Sequence, residues 1–155
     1  PEYAIGHYSL GRVCDKEQRW EDAARHYARA AQLDPGLAQA HSSIGVAHMN
    51  LGRPADAVEP LGEAVRLNPT PDAYNNYGDA LGDVGRYTDA VQAYDQALAL
   101  VVMPTGHRFF PKAFYSQLHY YIHLCSWDQL ERACRDLEPT VIRELGEGGE
   151  TQMTP

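Results

Sequence analysis

Residues 44–64 read IGVAHMNLGRPADAVEPLGEA, and the rest of the chain can be read outward from them. Two apolar stripes of helical period are interrupted at Leu51-Gly52-Arg53, so the stretch holds the end of one helix, a break and most of a second. Its landmarks recur. Ile44-Gly45 answers to Leu10-Gly11 and Tyr77-Gly78, Ala57 to Ala23 and Ala90, Leu61 to Tyr27 and Tyr94, and Ala64 to Ala30 and Ala97. The glycines of these pairs stand 34 and then 33 residues apart, and Pro35 and Pro69 close the first two units. Such agreement at fixed offsets identifies a repeat array, in which a two-helix unit cannot bury its apolar face alone and stacks on its neighbours.

In the first unit the apolar positions are Ile5, Tyr8, Leu10 and Cys14, then Trp20, Ala23, Ala24, Tyr27, Ala30 and Leu33, with the break at residues 16–19. The third unit breaks at Val84-Gly85-Arg86. Gly52 and Gly85 suit the left-handed backbone that ends a helix, and Gln18 stands at that place in the first unit. Small residues at Gly11, Ala23, Ala30 and their counterparts let two antiparallel helices approach closely, while larger residues fill the space between. Pro60 falls inside the second helix of the second unit, where a lost backbone hydrogen bond predicts a bend.

These residues resemble the tetratricopeptide repeat (TPR) family, whose pattern is a Leu-Gly pair, an aromatic, then Ala, an aromatic, Ala and Pro at those offsets. The resemblance implies an all-α, right-handed superhelix of three units, at about 4–37, 38–70 and 71–104. Departures are local: Gln18 for the turn glycine, Val102 for the third closing proline, and Pro60. Pro1 falls where the closing proline of a preceding repeat would lie, with Glu2 and Tyr3 as its turn, so further repeats are expected upstream.

After Leu100 the pattern changes. Residues 101–110 (VVMPTGHRFF) read as a loop, and Pro111 can open a helix. Ser126-Trp127-Asp128-Gln129 has the form of a capping box ahead of another apolar stripe, with Pro139 as a kink. Residues 105–145 are therefore expected to form a helical pair that caps the solenoid, with a flexible tail at 146–155. Ala113-Phe114, His119, Cys125, Ser126 and Trp127 resemble the segment that joins the repeats to the catalytic region in glycosyltransferases of the O-GlcNAc transferase and SPINDLY type. That resemblance implies a catalytic domain downstream. Ser126 stands where the family has an acidic residue.

Charge and composition exclude several functions. Against 13 Lys and Arg stand 21 Asp and Glu, a net charge of −8, which argues against nucleic acid or an anionic membrane surface as partner. The longest apolar run, residues 97–103, is far short of the ~20 residues a membrane helix needs. Cys14, Cys125 and Cys134 match no disulfide or zinc spacing and read as reduced thiols, so the expected compartment is the cytoplasm. No phosphate loop, GxSxG motif or paired-carboxylate constellation is present, and no catalytic residue or cofactor is expected in the chain. His119 and His123 stand four apart on a helix face without a third ligand, and His7 and His41 share one repeat position packed between helices, so no metal site is expected.

A binding groove is the better candidate. In TPRs the first helix of each unit lines the concave surface through its positions 2, 5, 6, 9, 12 and 13. Carried onto this chain these include Tyr8, Ser9, Arg12 and Lys16; Ser42, Ser43, Val46, Met49 and Asn50; and Asn75, Asn76, Asp79 and Asp83. The groove would run from a basic end to an acidic one and hold a protein or extended peptide. The carboxylate clamp of chaperone-binding TPRs needs Lys and Asn where Tyr8 and Arg12 stand, which argues against an acidic chaperone tail. The asparagine ladder of O-GlcNAc transferase repeats reads here Ser9, Ser43, Asn76 and Ser116. The rival to a glycosyltransferase module is a standalone adaptor with no enzyme attached.

Overall fold

All three breaks close in the same way. In a computed structural model, which describes residues 2–100, the backbone turns left-handed at Gln18 (φ 58°), Gly52 (φ 68°) and Gly85 (φ 80°). The next residue then donates its N–H back across the turn: Arg19 to Cys14 O and Arg53 to His48 O at 2.9 Å, Arg86 to Leu81 O at 2.8 Å. This is a Schellman closure, which satisfies carbonyls the helix end would leave bare. Gln18 thus departs from the pattern in residue type and keeps it in conformation.

Between the turns lie α1 (Glu2–Lys16), α2 (Trp20–Leu33), α3 (Ala38–Asn50), α4 (Pro54–Leu67), α5 (Pro71–Asp83) and α6 (Tyr87–Ala99). No strand occurs among the described residues. The helices pair as α1–α2, α3–α4 and α5–α6, and successive pairs stack through α2–α3 and α4–α5. The architecture is an all-α helical solenoid. The expected capping pair at 105–145 and the tail at 146–155 lie outside the described residues.

Each pair is held at close range by a glycine facing a large side chain. A Cβ on Gly11 would meet the Tyr27 ring at 2.5 Å, one on Gly78 would meet the Tyr94 ring at 2.6 Å, and one on Gly45 would collide with Leu61. Tyr27, Leu61 and Tyr94 are in turn among the largest fully buried side chains. Around them the second helices contribute Ala23, Ala30, Ala57, Ala64, Ala90 and Ala97, all buried. The apolar interior is a series of clusters along the stack, such as Ala57, Leu61 and Ala80 with Met49 and Tyr77 against them. Among the described residues the apolar side chains form separate clusters along the stack and not one central core.

Two expectations need correcting. Glu2 and Tyr3, read as a turn, begin α1. Gly36 and Pro69 hold the place of Glu2 in the later units and stay outside their helices, whereas a glutamate favours the first turn of one. Ile5 and Leu10, read as stripe residues, are exposed; Ile5 holds the repeat position of Gln39 and Asp72, which are exposed too. Helix α4 runs from Pro54 to Leu67 with Pro60 inside it.

Candidate peptide-binding groove

The site depends on which helices face inward. Helix α3 touches α5 as well as its own partner, and no comparable contact links α2 with α4 or α4 with α6. Of the first helices, α3 and α5 approach each other, and one cleft gathers residues of α1, α3 and α5. The sequence assigned its candidates to these first helices.

The candidates differ in how they stand. Ser9, Arg12, Lys16, Asn50 and Asp83 are exposed; Tyr8, Ser42, Ser43, Val46, Met49, Asn75, Asn76 and Asp79 are half-buried. A shallow cleft of about 190 Å³ gathers Tyr8, Ser42 and Ser43 with Gln39, Asn68, Thr70, Asp72 and Ala73, so it spans residues of all three units. Gln39 and Asp72 were not among the candidates, although both occupy the second helix position that the repeat pattern turns inward. Asn68 and Thr70 belong to the α4–α5 turn, which a first-helix rule does not reach. The remaining candidates, including Asn76, Asp79 and Asp83, do not line this cleft. A larger cleft of about 470 Å³, between α5 and α6, is lined by Tyr74, Tyr77, Arg86 and Gln92 among others and by none of the candidates.

Buried hydroxyls and carboxylates stitch the inner helices to the outer ones. The Tyr94 hydroxyl donates to Asp79 Oδ1 at 2.7 Å, so Asp79 is tied to α6. In the first unit the Tyr27 phenol, tilted against the Tyr8 ring with 5.5 Å between centroids, neighbours Asp15 and Ser43. Burial, and then the adjacent Asp15 carboxylate, pushes the Tyr27 hydroxyl up to about 12. Burial also raises the Asp15 carboxyl above its ordinary value, partly offset by Tyr27. Among the described residues Asp15 Oδ1, His48 Nδ1 and Asn75 Oδ1 are buried without a hydrogen-bond partner.

Elsewhere on the surface several charges pair locally. Arg19 pairs with Glu17 and Asp22, Arg25 with Asp22, Arg66 with Glu63, and Arg86 with Asp89. The Arg19 guanidinium and Arg66 guanidinium hold Asp22 and Glu63 below the usual carboxylate range. Neither Arg12 nor Lys16 has an ion pair among the described residues. His7 meets His26 of α2 at 3.4 Å between Nδ1 atoms, and His41 Nε2 donates to Pro35 O at 3.1 Å. Among the described residues no three His, Cys, Asp or Glu side chains are grouped to hold a metal, and no helix is long and apolar enough to cross a membrane.

Comparison with known proteins bears on the fold. Two family models match, one described as Tetratricopeptide repeat over residues 43–101 and one as TPR repeat over residues 11–52. No curated protein matches the chain at the sequence level. Among solved structures, a crystal structure of MamA protein superposes with a TM-score of 0.77 at 23% identity, covering 92% of this chain and 76% of its own. The first TPR of Spaghetti (RPAP3), bound to the HSP90 peptide SRMEEVD, gives 0.70 at 21% identity, covering 80% of this chain and 94% of its own. The second TPR domain of human RPAP3, in complex with the HSP70 peptide SGPTIEEVD, gives 0.68 at 21%, covering 77% and 95%. With the repeat landmarks, the shared turn closure and the two family models together, residues 11–101 are tetratricopeptide repeats, and the solved structures share their fold.

Proposed function

We propose that this chain is a protein-binding module that takes an extended peptide along the face of α1, α3 and α5. One observation carries the reading: the inner face combines unpaired cations at one end with hydroxyls and amides along it and a carboxylate at the other. Arg12 and Lys16, one turn apart on α1, form the basic end. Ser42, Ser43 and Asn76 offer donors and acceptors to a peptide backbone, and Asp83, exposed at the end of α5, forms the acidic end. Such a face orients a ligand with acidic residues toward α1 and basic residues toward α5. The RPAP3 domains hold acidic-ended chaperone peptides. Tyr8 and Arg12 replace the Lys and Asn of the carboxylate clamp, so the ligand class here is a charge-segregated segment and not such a tail.

Fluorescence polarisation with a labelled peptide bearing Glu at one end and Lys at the other tests this. Arg12→Glu with Lys16→Glu should weaken binding about tenfold at low salt, with the difference shrinking as ionic strength rises. Reversing the peptide's charges should restore binding to that variant. Equal affinity of all pairs would refute the assignment.

A second reading concerns the larger protein. The resemblance of residues 113–127 to the junction segment of O-GlcNAc transferase-like enzymes favours a non-catalytic arm of a glycosyltransferase over a standalone adaptor. Those residues lie outside the described ones, and neither family model extends past residue 101. The coding sequence after Pro155 decides between them: a long alternating strand–helix pattern supports the transferase, and a stop codon rules it out.

A further inference from the structure

One contact in the first helix pair plays no part in the groove. His7 of α1 and His26 of α2 bring their Nδ1 atoms to 3.4 Å, with ring centroids 5.7 Å apart and planes tilted by 30°. Both residues are half-buried and so open in part to solvent. The separation is long for a hydrogen bond from an N–H donor, whose heavy atoms usually stand about 2.7–3.2 Å apart. It matches a different bridge. Two imidazole nitrogens bound tetrahedrally to zinc, each at about 2.0–2.1 Å, stand about 3.3–3.4 Å from one another. The same two repeat positions hold His41 and Pro60 in the second unit and Tyr74 and Ala93 in the third, so only the first described unit pairs two donors there. Spacing rules look for ligands along one helix, whereas these stand 19 residues apart on two.

We propose that His7 and His26 form a two-histidine site for a borderline transition-metal ion, with Zn2+ the best match, that clamps α1 to α2. Imidazole suits such ions, and the bite of the pair suits a tetrahedral one. The ion takes the place of the proton that the two Nδ1 atoms otherwise share. One ring already has a bare Nδ1; the other moves its proton to Nε2 by way of solvent, so both rings bind through Nδ1 and keep an N–H at Nε2. Among the described residues no third His, Cys, Asp or Glu joins the group, so water completes the coordination and the affinity lies well below that of a four-ligand structural site. Charge on α2 does not oppose a cation here. Asp22 stands one turn before His26, Arg25 is paired with Asp22, and Arg29 donates to Gln32.

Zn2+ titrated into the full chain tests this, read by thermal melting and by the ring nitrogen shifts of the histidines. Excess Zn2+ should raise the melting midpoint by about 2–4 °C, because an ion that ties two helices favours the folded chain. EDTA should reverse the rise. His7→Gln and His26→Gln should each abolish it. His119→Gln with His123→Gln, which removes the chain's other closely spaced histidines, should leave it in place. In the unsubstituted chain the Nδ1 signals of His7 and His26 should move together as Zn2+ is added, which reads the site without any variant. A rise that survives His26→Gln, or one lost with the His119 and His123 variant alone, overturns the proposal. So does the absence of any rise, or a Zn2+ shift confined to one of the two rings.

Discussion

Gln18 shows how a repeat can keep a conformation while losing the residue that suits it. A non-glycine in the left-handed region costs roughly 1–2 kcal/mol, reduced where glycine's greater freedom in the unfolded chain offsets the gain. Gln18→Gly is expected to raise stability by about 0.5–1 kcal/mol in urea titrations, whereas Gly52→Ala and Gly85→Ala should lower it. The opposite logic holds at Gly78, whose φ is ordinary but whose missing Cβ makes room for the Tyr94 ring at 2.6 Å. Gly78→Ala should cost about 1–3 kcal/mol through overpacking, read from the same titrations. Asp15 yields a pH prediction. Its native carboxyl binds a proton more readily than the unfolded one, so its contribution to stability falls as pH rises from about 3.8 through the raised native value. It also sits in the last turn of α1, where the helix dipole disfavours negative charge. Asp15→Asn should therefore stabilise the chain at pH 7, and the gain should vanish toward pH 3 in a melting series. The positions of these residues are legible in the sequence because the offsets repeat. The contact of Tyr94 with Asp79 is not, because it joins side chains 15 residues apart whose meeting depends on how α5 crosses α6.

The helices are the most legible part of the molecule. Each boundary coincides with a turn residue, and each pair with a glycine opposite a large side chain. What periodicity leaves open is how apolar residues divide between the contact within a pair and the contact between pairs. Leu10 and Ile5 look like core residues on a helical wheel, yet both are exposed, and Ile5 stands where the later units have the exposed Gln39 and Asp72. Inward-facing turns are a second blind spot: Asn68 and Thr70 line the cleft from outside any first helix. Pro60 supplies the prediction at this scale. Helix α4 continues past it although it cannot donate to Asp56 O. Pro60→Ala restores a donor without removing any buried contact of Leu61 or Ala64, and should stabilise the chain by about 1–3 kcal/mol in chemical denaturation.

Over the whole molecule, curvature turns a repeated pattern into a site. Alanines let the pairs sit close, the first helices gather on the inside, and Tyr8, Ser42, Ser43, Gln39 and Asp72 from three units come to share one cleft. The order of units is plain in the sequence, and with it the order of charges from Arg12 and Lys16 to Asp83. The groove's floor is less plain, because Asp79 is held by Tyr94 and the two clefts differ in which helices they open between. The central claim is that ligands lie on the α1–α3–α5 face. Chemical-shift mapping of the isotope-labelled chain, titrated with the charge-segregated peptide, tests it most directly. The account predicts saturable shifts at Tyr8, Arg12, Ser42, Ser43 and Asn76, with α2, α4 and α6 quiet on their outer faces; shifts confined to those outer faces, or none that saturate, would contradict it.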